Sequence, residues 1–294
     1  LPQWNAARLS WNSGRKKRFP MAETPIRLLI LGAHPDDAEY HAAGLATVYR
    51  EAGHSVRMIS MTDGSAGHHR LLRDELAATR RREAAASAAV IGATSQVWDF
   101  SDGELEPTLE LRRRVITEIR NYRPDLVLTH RTNDYHPDHR AAGQVVQDAA
   151  FLVRVPHVVP EVPALWSDPI VGCMADLFSR PCPMSADIVL DIAPQIETIV
   201  AMLAKHRSQV FEWLPFLEGT EAEVPADGAG RIGWLGDWYA AAIRRRADHC
   251  RERLVAAYGA ERGGSIALAE MFEISEYGGV LTEPARKRLF PWMG

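Results

Sequence analysis

The stretch "LLILGAHPDDAEY" (residues 28–40) decides the fold. Four aliphatic residues run into Gly32. An imidazole, a proline and two adjacent carboxylates follow: His34, Pro35, Asp36 and Asp37. An apolar run of this kind closed by Gly reads as a buried strand. Adjacent carboxylates repel one another, and a strand end has no need of them. Their presence there points to a positive partner at the strand's carboxyl end.

Outward from this point the pattern alternates. Residues 26–33 read as strand, 38–53 as helix with Gly53 as its stop, and 55–64 as strand. A long Ala-rich helix is predicted over 71–93, a strand over 95–100 and a helix over 107–123, with Pro107 near its start and Pro124 after its end. A fourth strand, "DLVLTH" (125–130), precedes a helix over 139–153. Strands alternating with helices predict an α/β fold, a Rossmann-like parallel sheet with helices on both faces. In the order 3-2-1-4-5, strands one and four are neighbours at the topological switch point, where such folds bind ligands at the strands' carboxyl ends.

Beyond Phe151 the pattern blurs into an extended C-terminal part. The Pro-rich residues 153–169 read as irregular, 185–192 as a further strand and 193–214 as a helix. Residues 218–233 read as a loop insertion and 234–259 as helical. Residues 1–20 carry five basic side chains and no acidic one, without the apolar core of a signal peptide, and are read as an extension outside the fold. Residues 21–294 then form one domain.

The chain has 294 residues, 46% hydrophobic and 24% charged, as in ordinary globular proteins. A net charge of -4 argues against a nucleic-acid partner, and no apolar run is long enough to span a bilayer. Cys173, Cys182 and Cys250 match neither a zinc finger nor a disulfide framework, so they read as reduced thiols of a cytoplasmic protein.

Two polar clusters follow the two switch-point strands: His34-Pro35-Asp36-Asp37, and "HRTNDYHPDHR" (130–140) with His136, Asp138 and His139. Zinc takes imidazole nitrogen and carboxylate oxygen, and a catalytic site keeps one position open. Three ligands of the His/Asp/His type would leave over carboxylates and an imidazole for acid–base work, the parts an amide hydrolase needs. By spacing alone either His136 or His139 could ligate, and Asp36 could instead cap a helix. A dinucleotide site is disfavoured, because "GAHPDD" offers one Gly and then acids that would repel a pyrophosphate.

The motifs "AHPDDAE" and "HPDHR" resemble those of the PIG-L/LmbE family of zinc-dependent N-deacetylases. The likeness extends through "MTDGSAG", "TRRREAAASAAVIG", "DFSDGELEP" and "LAEMF", over most of residues 26–275. It implies that His34, Asp37 and His139 bind Zn2+, with Fe2+ as another possible occupant. It makes Asp36 the general base and His136 the imidazole facing the substrate carbonyl, with Asp138 orienting it and keeping it protonated. Arg80 and Asp102 would contact substrate. Many members carry Glu directly after the second Asp; here Ala38 intervenes and the acid is Glu39. The implied activity is removal of acetate from an N-acetylglucosamine-type sugar or its conjugate. An amidase of a larger thiol conjugate or other acyl-amine is the alternative, and a non-catalytic sugar binder a weaker one. A homo-oligomer is compatible with this reading. His68 and His69 read as exposed loop residues. His206, with Phe211, Trp213, Trp234 and Trp238, could form a sugar platform or belong to the core.

Overall fold

The computed structural model describes residues 25–293; the extension expected over 1–20 lies outside them. Seven strands form one sheet: β1 (Arg27–Gly32), β2 (Ser55–Thr62), β3 (Thr94–Phe100), β4 (Leu126–Thr129), β5 (Ile170–Met174), β6 (Ile188–Asp191) and β7 (Ala269–Ile274). The helices are α1 (Asp37–Glu51), α2 (Arg73–Val90), α3 (Leu109–Tyr122), α4 (Pro137–Leu152), α5 (Ile196–Leu203), α6 (Leu214–Glu218), α7 (Gly228–His249), α8 (Arg251–Tyr258), α9 (Ala260–Ser265) and α10 (Glu283–Leu289). The order is β3-β2-β1-β4-β5-β7-β6. The first five strands pair in parallel, and β7 runs antiparallel between β5 and β6.

The central strand is buried on both faces. Leu28 and Ile30 join one apolar layer, with Ala42, Leu45 and Ala46 of α1 and Ile199 of α5. Leu29 and Leu31 join the other, with Val115 and Ile116 of α3 and Val145 and Val146 of α4. That alternation is the period of two expected of a strand, and helices cover both faces of the sheet.

Three sequence expectations change. The neighbour of β4 is Ile170–Met174, a five-residue run next to the Pro-rich stretch and too short to stand out; residues 185–192 supply β6 at the far edge. The helix expected over 193–214 breaks after Leu203 and resumes through a π-type turn, Gln209–Trp213. The loop expected over 218–233 ends early, because Asp227 caps α7 by accepting the Gly230 N–H at 2.7 Å. That cap was masked by the glycines around it.

The Pro-rich stretch is ordered by one cation. Arg120, 1% exposed, donates to the carbonyls of Leu152, Val153, Val155, Val158, Val159 and Val162 at 2.6–3.0 Å. Val159 has φ 50°, which a β-branched residue rarely adopts; the Arg120 hydrogen bond fixes its carbonyl. Arg120→Met should destabilise the protein by at least ~3 kcal/mol, since buried carbonyls lose a charged donor. Urea unfolding, with limited proteolysis of residues 153–165, measures it; unchanged stability and protection would refute it.

A second buried charge joins the two ends of the chain. Glu270 of β7 accepts the N–H groups of Gly44 (2.6 Å) and Leu45 (2.8 Å) in α1. Only glycine permits the approach: a Cβ at Gly44 would lie 2.4 Å from Ile192 Cγ2 and 2.9 Å from Glu270 Oε1. Burial raises the Glu270 carboxyl from 4.5 to about 7, against the pull of the two N–H donors and Arg246. The native state therefore keeps a proton that the unfolded chain gives up. Stability from this group falls as pH rises from 4.5 to about 7 and levels off above. Unfolding free energies at pH 5 and pH 8 should show wild type losing up to roughly 3 kcal/mol relative to Glu270→Gln. A pH-independent difference would rule this out.

Candidate metal and active site

The turn after β1 is built to bring charge back onto the strand end. A Cβ at Gly32 would lie 2.8 Å from Asp37 Cβ, so glycine admits the fold-back. The His34 N–H then donates to Asp37 Oδ2 at 2.7 Å. Asp36 occupies the N-cap position of α1, yet its side chain makes no capping hydrogen bond. Its Oδ2 instead accepts Gln209 Nε2 at 3.1 Å. The capping alternative for Asp36 therefore fails.

The turn after β4 delivers the partners. His139 Nε2 lies 3.1 Å from His34 Nδ1 and 3.4 Å from Asp37 Oδ1, and His34 Nδ1 lies 3.6 Å from Asp37 Oδ2. Ligand atoms about 2.0–2.1 Å from a tetrahedral ion sit about 3.3 Å apart. A different Asp37 oxygen thus faces each imidazole, and these three side chains could hold a divalent ion between them. The groups whose donor atoms all lie within 4.8 Å of one another are His34/His136/His139, Asp37/His130/His139 and His34/Asp102/Asp138, which share members with that set.

Each of these ring nitrogens has a fixed surrounding. His139 Nδ1 meets Asp134 Oδ1 at 3.0 Å, and the same oxygen accepts the His136 N–H at 2.9 Å. His34 Nε2 lies 3.3 Å from both Asp102 Oδ1 and Asp138 Oδ2. His130 stacks on His139, ring centroids 3.9 Å apart, and its Nε2 sits 2.9 Å from Asp37 Oδ2 and 3.2 Å from the Ala33 N–H. A carboxylate behind an imidazole fixes its tautomer and orientation.

The expected partnership of Asp138 with His136 is not what the geometry shows. Asp138 accepts the N–H groups of Gly103 (2.7 Å) and Leu105 (3.1 Å) and faces His34. His136 Nδ1 accepts the Asp138 N–H at 3.2 Å, capping α4 and leaving Nε2 to carry the ring proton. Burial and the neighbouring His34 and His139 lower the His136 pKa, opposed by Asp138 and Asp102. For Asp36, burial and the Asp37 charge raise the carboxyl, opposed by Arg80, His206 and His34.

Arg80 is 2% exposed. Its Nη2 donates to Gly67 O at 3.1 Å and to Gln209 Oε1, so the guanidinium stands beside Asp36 with much of its capacity engaged. Asp102 accepts the Ala66 N–H at 2.9 Å in addition to facing His34. Its oxygens serve the site's frame rather than an open pocket. His68 and His69 are not exposed: their side chains retain 1% and 13% accessibility, paired to Glu212 and Glu221. His69 stacks on Phe216 with centroids 3.9 Å apart. His206 is fully buried, with Nε2 3.0 Å from Glu39 Oε1; Phe211, Trp234 and Trp238 pack against the core. The platform reading does not hold for His206. His130, Asp134 and Gln209 were missed. The first two stand in the quoted 130–140 stretch, where acids and imidazoles alternate; nothing local marks Gln209.

An α/β sheet of Rossmann-like order carries at its switch point a cluster of imidazoles and carboxylates that could hold a metal ion. Residues 29–150 match the family model described as PIG-L, GlcNAc-PI de-N-acetylase. A diacetylchitobiose deacetylase of Thermococcus kodakarensis is 33% identical over 137 residues, 45% of this chain and 51% of that protein. A 4-oxalmesaconate hydratase of Pseudomonas putida is 24% identical over 150 residues, 48% of this chain and 58% of that protein. The chain thus spans about half the length of these relatives. The solved N,N'-diacetylchitobiose deacetylase of Pyrococcus horikoshii superposes with a TM-score of 0.66 at 21% identity, covering 85% of this chain and 84% of that one. Among the described residues, no helix is long and apolar enough to cross a membrane.

Asp134→Ala frees the His139 ring to rotate. It should weaken zinc binding about 10- to 100-fold, measured by competition with a chromogenic chelator. Wild-type affinity in the variant would remove Asp134 as the orienting group.

Proposed function

We propose that this chain is a metal-dependent hydrolase that removes the acetyl group from an N-acetylated amino sugar of the N-acetylglucosamine type, or from its conjugate. One observation carries the reading. Two imidazole nitrogens, of His139 and His34, stand 3.1 Å apart with one oxygen of the Asp37 carboxylate 3.4 Å from the first and the other 3.6 Å from the second, and Asp36 lies beside them without a capping bond. The family's description and the deacetylases among the relatives support the substrate class.

His34, Asp37 and His139 would hold the ion. When bound, zinc or Fe2+ supplies Lewis acidity to a carbonyl and makes water nucleophilic near neutral pH. Asp36 takes the proton of the attacking water; its raised carboxyl pKa suits a base that must later return that proton. The water oxygen bonds to the acetamide carbon. His136, with its proton on Nε2, donates to the oxygen that gains charge, a role a neutral imidazole fills. The carbon–nitrogen bond breaks as Asp36 returns its proton to nitrogen, giving acetate and a free amine. Asp102 and Asp138 hold the His34 ring throughout.

The hydratase among the relatives shows that activity must be read from products. Metal-loaded protein is incubated with N-acetylglucosamine, N,N'-diacetylchitobiose, N-acetylglucosaminyl conjugates and thiol-conjugate amides, and free amine and acetate are measured. Amine should appear with the sugars, and chelation should abolish it until a divalent ion is restored. Asp36→Ala should keep its metal and lose about 10²- to 10⁴-fold in turnover. Full activity in that variant would remove Asp36 as the base, and release only from thiol conjugates would move the reading to the amidase alternative.

A further inference from the structure

The break between α5 and α6 aims one amide into the site. Its frame is three buried contacts with helices from the other half of the chain. His206 Nε2 sits 3.0 Å from Glu39 Oε1 of α1. Ser208 gives its N–H (2.9 Å) and its hydroxyl (2.6 Å) to the Glu83 carboxylate of α2. Gln209 then starts the π-type turn with its side chain between Asp36 and Arg80.

The orientation of the Gln209 amide follows from its partners. A guanidinium has donors only, so Arg80 must face the carbonyl oxygen Oε1. That leaves the NH2 group for Asp36 Oδ2, 3.1 Å away. Asp37, Asp102, Asp134 and Asp138 each accept a backbone N–H. Among the described residues, the Asp36 carboxylate takes its hydrogen bond from Gln209 alone. One oxygen is thereby steered while the other keeps its lone pairs.

We propose that Gln209 is the positioning residue of the catalytic base: its amide, locked by Arg80, holds the Asp36 carboxylate in the orientation that accepts the water proton. The inference rests on the hydrolase reading, and its test separates the two. Gln209→Leu removes both bonds. Gln209→Met keeps the length of the side chain without adding a charge, and offers no donor to Asp36. Both variants should keep wild-type metal content, and both should melt lower, because buried Arg80 loses an acceptor. Both should lose about 10- to 100-fold in kcat with KM changed less than about threefold. Wild-type kcat in Gln209→Met, or a loss confined to KM, would overturn the proposal. If wild type releases no amine from any substrate, the hydrolase reading falls and a crystal structure of Gln209→Leu decides for Gln209. An Asp36 carboxylate turned away from its present orientation supports the proposal, and an unmoved one overturns it.

Discussion

The parallel pairing of β1 with β4 is the constraint on which the rest depends. Leu28, Leu29 and Ile30 stand opposite Leu126, Val127 and Leu128. All six are buried, alternate residues entering opposite apolar layers. A slip of one residue would turn every side chain to the wrong layer, so the core on both faces sets the register. The register in turn sets where the two turns end. His34 and His139, 105 positions apart, meet at 3.1 Å because two strands of aliphatic residues have a single way to pack.

Gathering acids and imidazoles at one point is costly unless each buried charge is paired and hydrogen-bonded. The protein meets this in a repeated way. Four carboxylates each join a backbone N–H to an imidazole: Asp37 links His34 N to His130 and His139, Asp102 links Ala66 N to His34, Asp134 links His136 N to His139, and Asp138 links Gly103 N to His34. Backbone position is thereby transmitted to ring orientation. Asp36 stands outside this scheme, taking its hydrogen bond from Gln209, which suits the proton-exchanging role proposed for it. A carboxylate saturated by backbone donors would be a weaker base.

How much of this was legible in the sequence follows from the range of each signal. The HPDD and HPDH clusters, the order of the first four strands and the helices between them are carried by local periodicity and turn chemistry, and the structure contains them. β5 was lost because five residues beside a run of prolines carry little periodicity. The pairing of Asp138 with His136 came from the family resemblance, whereas the helix start turns Asp138 towards Gly103, Leu105 and His34. Glu39 and Gln209 were not placed, and His206 was left between platform and core, of which burial bears out the core. Their meaning lies in contacts across more than 160 residues, and a helix that breaks after Leu203 to seat a buried imidazole looks, in sequence, like one that continues.

The boundary of the family match divides the site by role. His34, Asp36, Asp37, His136 and His139 all fall within residues 29–150. Gln209, Trp213 and Phe216 fall outside it, and so do Glu212 and Glu221, which secure the loop bearing His68 and His69. Part of the wall beside Asp36 is therefore built by chain that the family match does not cover. The relatives include a deacetylase and a hydratase, each matched over about half its length, and these names describe different reactions. The segment from His206 to Glu221 supplies, from outside the matched residues, the contacts that seat Asp36, Arg80, His68 and His69.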